Sequence, residues 1–262
     1  MPLTLSTGKH DLTLDPAWTN AAGMLGFSNE ARDLVDLSRL GALVTNPVSL
    51  APRSPARGPR MLEFPGGFLL HTGHPNPGLT EVLRRHRRRW ARMPCPVIVH
   101  LLAQTPGEVG RMAERLEAVE EVAAIELGLG ETDPQTVAAM VTAAGASQRP
   151  IIAHLPLGSG VQLAQAAARA GAAAIALGAP RGALPDPGGA IVHGRLYGHA
   201  MLPTALQAVT QLARLVDCPL IAGGGITSRQ AAEAMLAAGA AAIQFDSVLW
   251  TEPEAVLESP TA

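Results

Sequence analysis

Lysine is nearly missing from this chain. Among 262 residues Lys9 is the only one, and apart from histidine every other basic side chain is an arginine. A mechanism that depends on a lysine amine therefore has almost nowhere to find it. Cysteine is scarce as well. Cys95 and Cys218 are the only two, each just ahead of a proline and an apolar run. That usage argues against a disulfide framework and points to a reducing compartment, so a cytoplasmic setting is expected. An excess of one charge is also lacking. A net charge of −2 gives no ground for a nucleic-acid or membrane-surface partner. No run of about 18 apolar residues is free of glycine or polar breaks, so no transmembrane helix is expected. The N-terminus MPLTLSTGKHDLTL lacks a basic start and a long apolar core, and does not read as a signal peptide.

What is present is an apolar, Ala- and Gly-rich composition of enzyme size. Residues 3–14 alternate around Thr7-Gly8-Lys9, which predicts a hairpin. A short strand is expected at 19–24. Ser28 is placed to cap a helix over 29–40 with Leu34, Val35 and Leu37 buried. A second strand follows at 42–45. Residues 46–79 are rich in Pro, Gly and Arg and read as a long excursion, and 79–92 as a basic helix. The rhythm then becomes regular. Strands are expected at 97–102, 123–129, 151–155 and 173–177, and helices at 106–119, 134–144 and 161–170. A second excursion spans 178–202, and Pro203 opens a helix to 216. Strand 220–222, helix 229–238 and strand 241–245 complete the pattern. Eight strands alternating with helices predict one α/β domain over 1–262, a (β/α)8 TIM barrel with the hairpin plugging its bottom. An open doubly wound sheet is the alternative.

Ligands of such barrels sit at the C-terminal ends of the strands. That rule selects Asn20, Asn46, His100, Glu126, His154, the triplet Gly223, Gly224 and Gly225, and Asp246-Ser247. The triplet lies between a strand and a helix capped by Thr227 or Ser228. It suits either a phosphate seat on backbone amides or a tight turn that binds nothing. His100, Glu126 and His154 lie on three consecutive strands. Pointing inward together, they would hold a zinc-type metal or perform acid–base work, or else hydrogen-bond one another and fill space. His71 and His74 form a second pair on a loop. The run Arg84-Arg85-His86-Arg87-Arg88-Arg89-Trp90 reads as the solvated face of a helix with Leu83 and Trp90 inward, the alternative being an acidic partner.

With these residues in place, the chain resembles the soluble dihydroorotate dehydrogenases over nearly its whole length. These are barrel enzymes that use flavin mononucleotide (FMN). Asn20-Ala21-Ala22-Gly23 resembles the family's first-strand motif beside the flavin. The segment from Gly73 through His74, Asn76 and Gly78 resembles its glycine–asparagine–glycine segment. Leu202-Pro203-Thr204-Ala205-Leu206 resembles the start of its late helix. Gly223, Gly224, Gly225 and Ile226, with Gln244 to Ser247, sit where the family holds the flavin phosphate. The resemblance implies FMN contacts at Ala21, Ala22, Gly23, His154, Gly223, Gly224, Gly225 and Ser247. It implies a substrate facing Asn20, Asn76 and Thr204, and a homodimer binding a small molecule.

The resemblance also marks departures. Asn46 stands where the family has a lysine near the substrate, and His154 where it has a second lysine bonded to the flavin. Gly128 replaces a substrate asparagine, Leu70 another, and Glu131 falls where the catalytic base would be. Catalytic roles therefore pass to Glu131 and Asn46. Orotate is a planar anion that needs paired amides, because buried polar groups left unpaired cost about 1–3 kcal/mol each. The expectation is a diverged, FMN-type oxidoreductase with an altered substrate. The alternative is a non-redox barrel that binds another phosphorylated ligand or serves as a structural or regulatory subunit.

Overall fold

The computed structural model describes residues 2–7, 9–130 and 132–257. The first elements are strands β1 (Leu3–Ser6), β2 (Asp11–Leu14), β3 (Trp18–Asn20), β4 (Leu43–Val44), β5 (Val48–Ser49), β6 (Met61–Phe64) and β7 (Gly67–Leu70), then helix α1 (Leu79–Trp90). The alternating part runs β8 (Val97–Leu102), α2 (Pro106–Glu117), β9 (Val122–Gly128), α3 (Pro134–Ala144), β10 (Ile151–Pro156), α4 (Val161–Arg169) and β11 (Ala174–Gly178). It continues through β12 (Arg181–Pro185), β13 (Ile191–Tyr197), α5 (Leu202–Leu212), β14 (Leu220–Gly223), α6 (Arg229–Ala237), β15 (Ala242–Phe245), α7 (Val248–Thr251) and α8 (Glu254–Leu257).

Eight strands pair in parallel in the order β3-β15-β14-β11-β10-β9-β8-β4. The ends meet at a seam. Thr19 bridges Ala42 in parallel, and the Gly41 N–H donates to Trp18 O at 2.8 Å. The side chain of Asn20 then does the work of a strand. Its Nδ2 donates to Val44 O at 2.7 Å, and its Oδ1 accepts from Val44 N at 2.9 Å. This is the expected (β/α)8 barrel. Helix starts follow local chemistry. Thr105 and Asp133 accept from the third residue onward, each just before a proline, and Ser228 accepts from Ala231 N.

Inside, side chains alternate with the pleat. The lower layers are Ile98, Ala124, Ile152, Ala174, Ala176, Ile221 and Ala242, packed with Leu5, Leu12 and Leu14 of the hairpin. The alanines leave the volume that the leucines fill. Thr7 Oγ1 donates to Gln148 O at 3.0 Å and Lys9 pairs with Glu117 at 2.9 Å, which ties the hairpin to the N-terminal end of the barrel. The hairpin is thus the expected plug, with Gly8 outside the described residues. Outward residues such as Val99, Leu101 and Ile125 meet the helical shell.

Residues 29–40 do not form the expected α-helix. They run through turns into a short 3-10 segment at Leu37–Arg39, whose start is capped by Asp36. Ser28 is drawn away from capping, since its hydroxyl faces His86 Nδ1 at 3.0 Å and its N–H donates to Glu30 at 2.7 Å. Val35 and Leu37 are buried, whereas Leu34 is 44% exposed. On α1 the arginines face outward, with Glu81 pairing Arg84 and Arg85, and Glu121 pairing Arg87. Trp90 is buried, and so is His86.

The two excursions meet. Their strands form one antiparallel sheet in the order β12-β13-β7-β6. Both leave the C-terminal ends of barrel strands, so this sheet lies beside the mouth and brings Arg195 to it. Among the described residues no helix is long and apolar enough to cross a membrane.

Candidate active site

One pleat step above the apolar layers, the inward positions turn polar. Ile98 is followed by His100, Ala124 by Glu126, Ile152 by His154, and Ala242 by Gln244. All four polar side chains are buried. His100 Nδ1 and Glu126 Oε1 lie 2.6 Å apart, and Gln244 Nε2 donates to Glu126 Oε2 at 2.7 Å. The carboxylate is therefore held from two sides, which fixes His100 with its proton on Nδ1. Burial, and then the Arg195 charge, push the His100 pKa down to about 3. Burial raises Glu126, opposed by His154, Gln244 and Arg195.

His154 stands edge-on to His100, with ring centroids 5.3 Å apart. Burial lowers its pKa to about 4, against the pull of Glu126. Two glycines make room for these rings. A Cβ on Gly128 would stand 2.6 Å from His100 Nε2, and a Cβ on Gly178 would overlap the His154 ring. His100 Nε2 and Gln244 Oε1 are buried without a protein partner. A cavity of about 20 Å³ is lined by His100, His154 and Gln244, with Arg195, Tyr197 and Asp246 above. That is room for about one water molecule.

Above it the mouth is cationic. Arg195 Nη1 lies 2.6 Å from His74 Nε2. His74 accepts there, so its imidazole is neutral. Burial first, then the Arg195 charge, push its pKa down to about 2. Arg53, Arg181 and Arg195 share a cavity of about 630 Å³ with His74 and Gly128. Sequence reasoning missed Arg195, and placed Gln244 only in the segment where the family holds the flavin phosphate. Gln244 carries the same period-two signal as His100. Arg195 carried none, because its place depends on two distant excursions pairing.

The structure brings His100, His154, Ala21, Ala22, Gly223 and Gly224 to one cavity wall, while Glu126 is fully buried and bonded to His100 without lining it. Gly23, with φ +93°, lines the neighbouring space beside Ala22. Other expected site residues are committed elsewhere. Asn20 closes the seam. Asn46 Oδ1 accepts from Gly26 N at 3.2 Å. Asn76 accepts from the backbone of Ser49 and Gly78 and donates to Ser49 Oγ, pinning its loop to β5. Thr204 is exposed on the first turn of α5. Glu131 lies outside the described residues. Among the described residues no His, Cys, Asp and Glu group is arranged to hold a metal ion. His100 and Glu126 are instead bonded to each other.

At the end of β15 the inward row continues to Asp246, which is buried. Its Oδ1 accepts from Ser247 N at 2.6 Å and Ser247 Oγ at 3.2 Å. Burial raises its pKa, and these donors oppose the rise. Gly224 and Gly225 have φ of +102° and +73°. A Cβ on Gly225 would overlap the Leu202 backbone, and one on Gly223 would stand 2.6 Å from Leu177 O.

A sequence model described as dihydroorotate dehydrogenase matches residues 4–132. That match ends ahead of His154, Arg195 and Asp246. The chain is also similar to three proteins named dihydroorotate dehydrogenase B (NAD(+)), catalytic subunit. It is 35% identical over 258 residues to that of Pelobacter propionicus, covering 91% of this chain and 85% of the relative. For Desulforudis audaxviator the figures are 36% over 267 residues, 93% and 86%. For Geobacter sulfurreducens they are 34% over 265 residues, 93% and 87%.

Proposed function

The chain belongs to the dihydroorotate dehydrogenase family of flavin-dependent oxidoreductases, and from that premise we propose a member whose site is rebuilt for a small anion other than orotate. The observation that carries this reading is the pairing of Arg195 with a neutral His74 above the His100–Glu126–Gln244 row. Arg195 offers an anion a charge and a planar fork of donors. The amides that would read an orotate ring are missing. Gly128 has no side chain and is backed by His100, and Leu70 is a β-strand residue paired with Met61 and Arg195. His100 Nε2 is a buried neutral acceptor set against Gly128, and Glu126 fixes its tautomer.

The test is calorimetric titration of the purified chain with orotate and dihydroorotate, together with an oxidation assay in added FMN. The expected result is no binding heat and no turnover. Dihydroorotate-dependent reduction of FMN would overturn the reading. A thermal-shift screen of small carboxylates and phosphates identifies the anion, and Arg195→Ala should weaken its binding at least tenfold.

A second reading, a barrel without redox chemistry, is favoured by Asp246. The residues present do not fit the FMN phosphate, because the buried Asp246 carboxylate stands at the turn and already accepts from the Ser247 N–H and hydroxyl. A colourless protein that takes up no added FMN supports this reading. The relatives are named catalytic subunits, and a homodimer or a partner chain belongs to the proposal. A native mass measurement tests it, with a monomer alone counting against both.

A further inference from the structure

The turn after β14 and the end of β15 together form the place where the family resemblance puts a phosphate, and this inference rests on that resemblance. Two observations bear on it independently. First, the glycines have a reason inside the protein. Gly225 lies against the Leu202 backbone and Gly223 against Leu177 O, so neither position needs a ligand to exclude a side chain. Second, the donors already have an acceptor. Ser247 gives both its N–H and its hydroxyl to Asp246 Oδ1. Asp246 is 3% exposed and follows Gln244 on the inward row, so it is part of the wall and not a surface side chain folded in.

We propose that Asp246 is the chain's own substitute for the flavin phosphate, and that FMN is not seated at the end of the last barrel strand. A dianionic phosphate would have to displace a buried carboxylate from its donors and then lie beside it. Two anions cannot share one set of donors, and like charges at such distances repel strongly where water is excluded. The carboxylate supplies the acceptor for the Ser247 N–H and hydroxyl, so these donors are satisfied without a cofactor.

The test begins with the unmodified full chain, titrated with FMN and with riboflavin, which lacks the phosphate, by quenching of flavin fluorescence. The expected result is no preference between them beyond threefold. A chain purified with stoichiometric FMN, or one binding FMN at least tenfold more tightly than riboflavin, overturns the proposal. The second arm compares the chain with Asp246→Gly, adding inorganic phosphate at constant ionic strength and reading the melting temperature. The variant should gain a saturable phosphate-dependent rise that the unmodified chain lacks. A folded variant with no such rise overturns the proposal. Asp246→Ala, which keeps a Cβ but removes the carboxylate, serves if the glycine variant does not fold, and the flavin comparison on the unmodified chain decides in either case. Dihydroorotate plays no part in these measurements, so the substrate reading stands or falls separately.

Discussion

His100 and Glu126 stand side by side on adjacent parallel strands, with Nδ1 2.6 Å from Oε1 in a fully buried layer. Gln244 holds the second carboxylate oxygen at 2.7 Å. Glu126→Ala therefore leaves two buried donors without an acceptor. We expect a loss of about 3–5 kcal/mol, the range seen when one partner of a buried pair is removed. Urea denaturation measures it. In a double-mutant cycle His100→Ala should couple to Glu126→Ala by about 0.5–3 kcal/mol. A loss under about 1 kcal/mol would mean the three side chains do not act as one unit.

His154 should mark the acid limb of stability. Its folded pKa is depressed from 6.5 to about 4 by burial. Below the unfolded value the unfolded chain takes up a proton that the folded chain refuses, so stability is lost as pH falls toward the folded value. His100 acts in the same direction, while Glu126 and Asp246, raised by burial, act in the opposite one. A difference measurement isolates the histidine. Relative to His154→Gln, the unmodified chain should lose about 1.4 kcal/mol per pH unit between about pH 6 and pH 4. Parallel stability curves for the two proteins would contradict this.

Gly178→Ala should overpack the layer, because its Cβ would meet the His154 ring. A cost of about 1–3 kcal/mol is expected. His154→Ala should remove most of that penalty, and chemical denaturation of the single and double variants reads the rescue. If the penalty persists without the ring, the clash lies elsewhere.

Asn20→Ala should open the seam. Val44 would lose the partner of both its N–H and its carbonyl. Each orphaned group costs about 1–3 kcal/mol. Hydrogen exchange at the Val44 amide should accelerate before that of Ile152 or Ile221 in the middle of the sheet. Equal acceleration everywhere would point to global loss instead of a local opening.

Most of the barrel was legible because its strands are apolar runs and its helices carry caps. The polar layer was legible in part. His100, Glu126 and His154 show the inward phase of their strands, and Gln244 has the same phase two residues after Ala242, a signal left unread. The helix expected at 29–40 failed on a tertiary contact, since Ser28 answers to His86, some 58 residues away. The asparagines were read as ligand contacts, but Asn20 and Asn76 are spent on Val44 and Ser49. An amide that replaces a ladder bond looks in sequence like an amide that binds a substrate. Arg195 was invisible for a different reason, since its position depends on β13 pairing with β7, more than a hundred residues apart in sequence.

The closeness of His100 to Gly128 also orders history. With Nε2 2.6 Å from where a Cβ would stand, the histidine presupposes the glycine, whereas the glycine does not presuppose the histidine. A lineage could reach this pair by shedding the side chain at 128 first, or by changing both together. The reverse path is blocked in the same way. Placing a side chain at 128 requires the imidazole to move, and with it the hydrogen bond that satisfies Glu126. The pairing works as a ratchet that a single substitution does not undo.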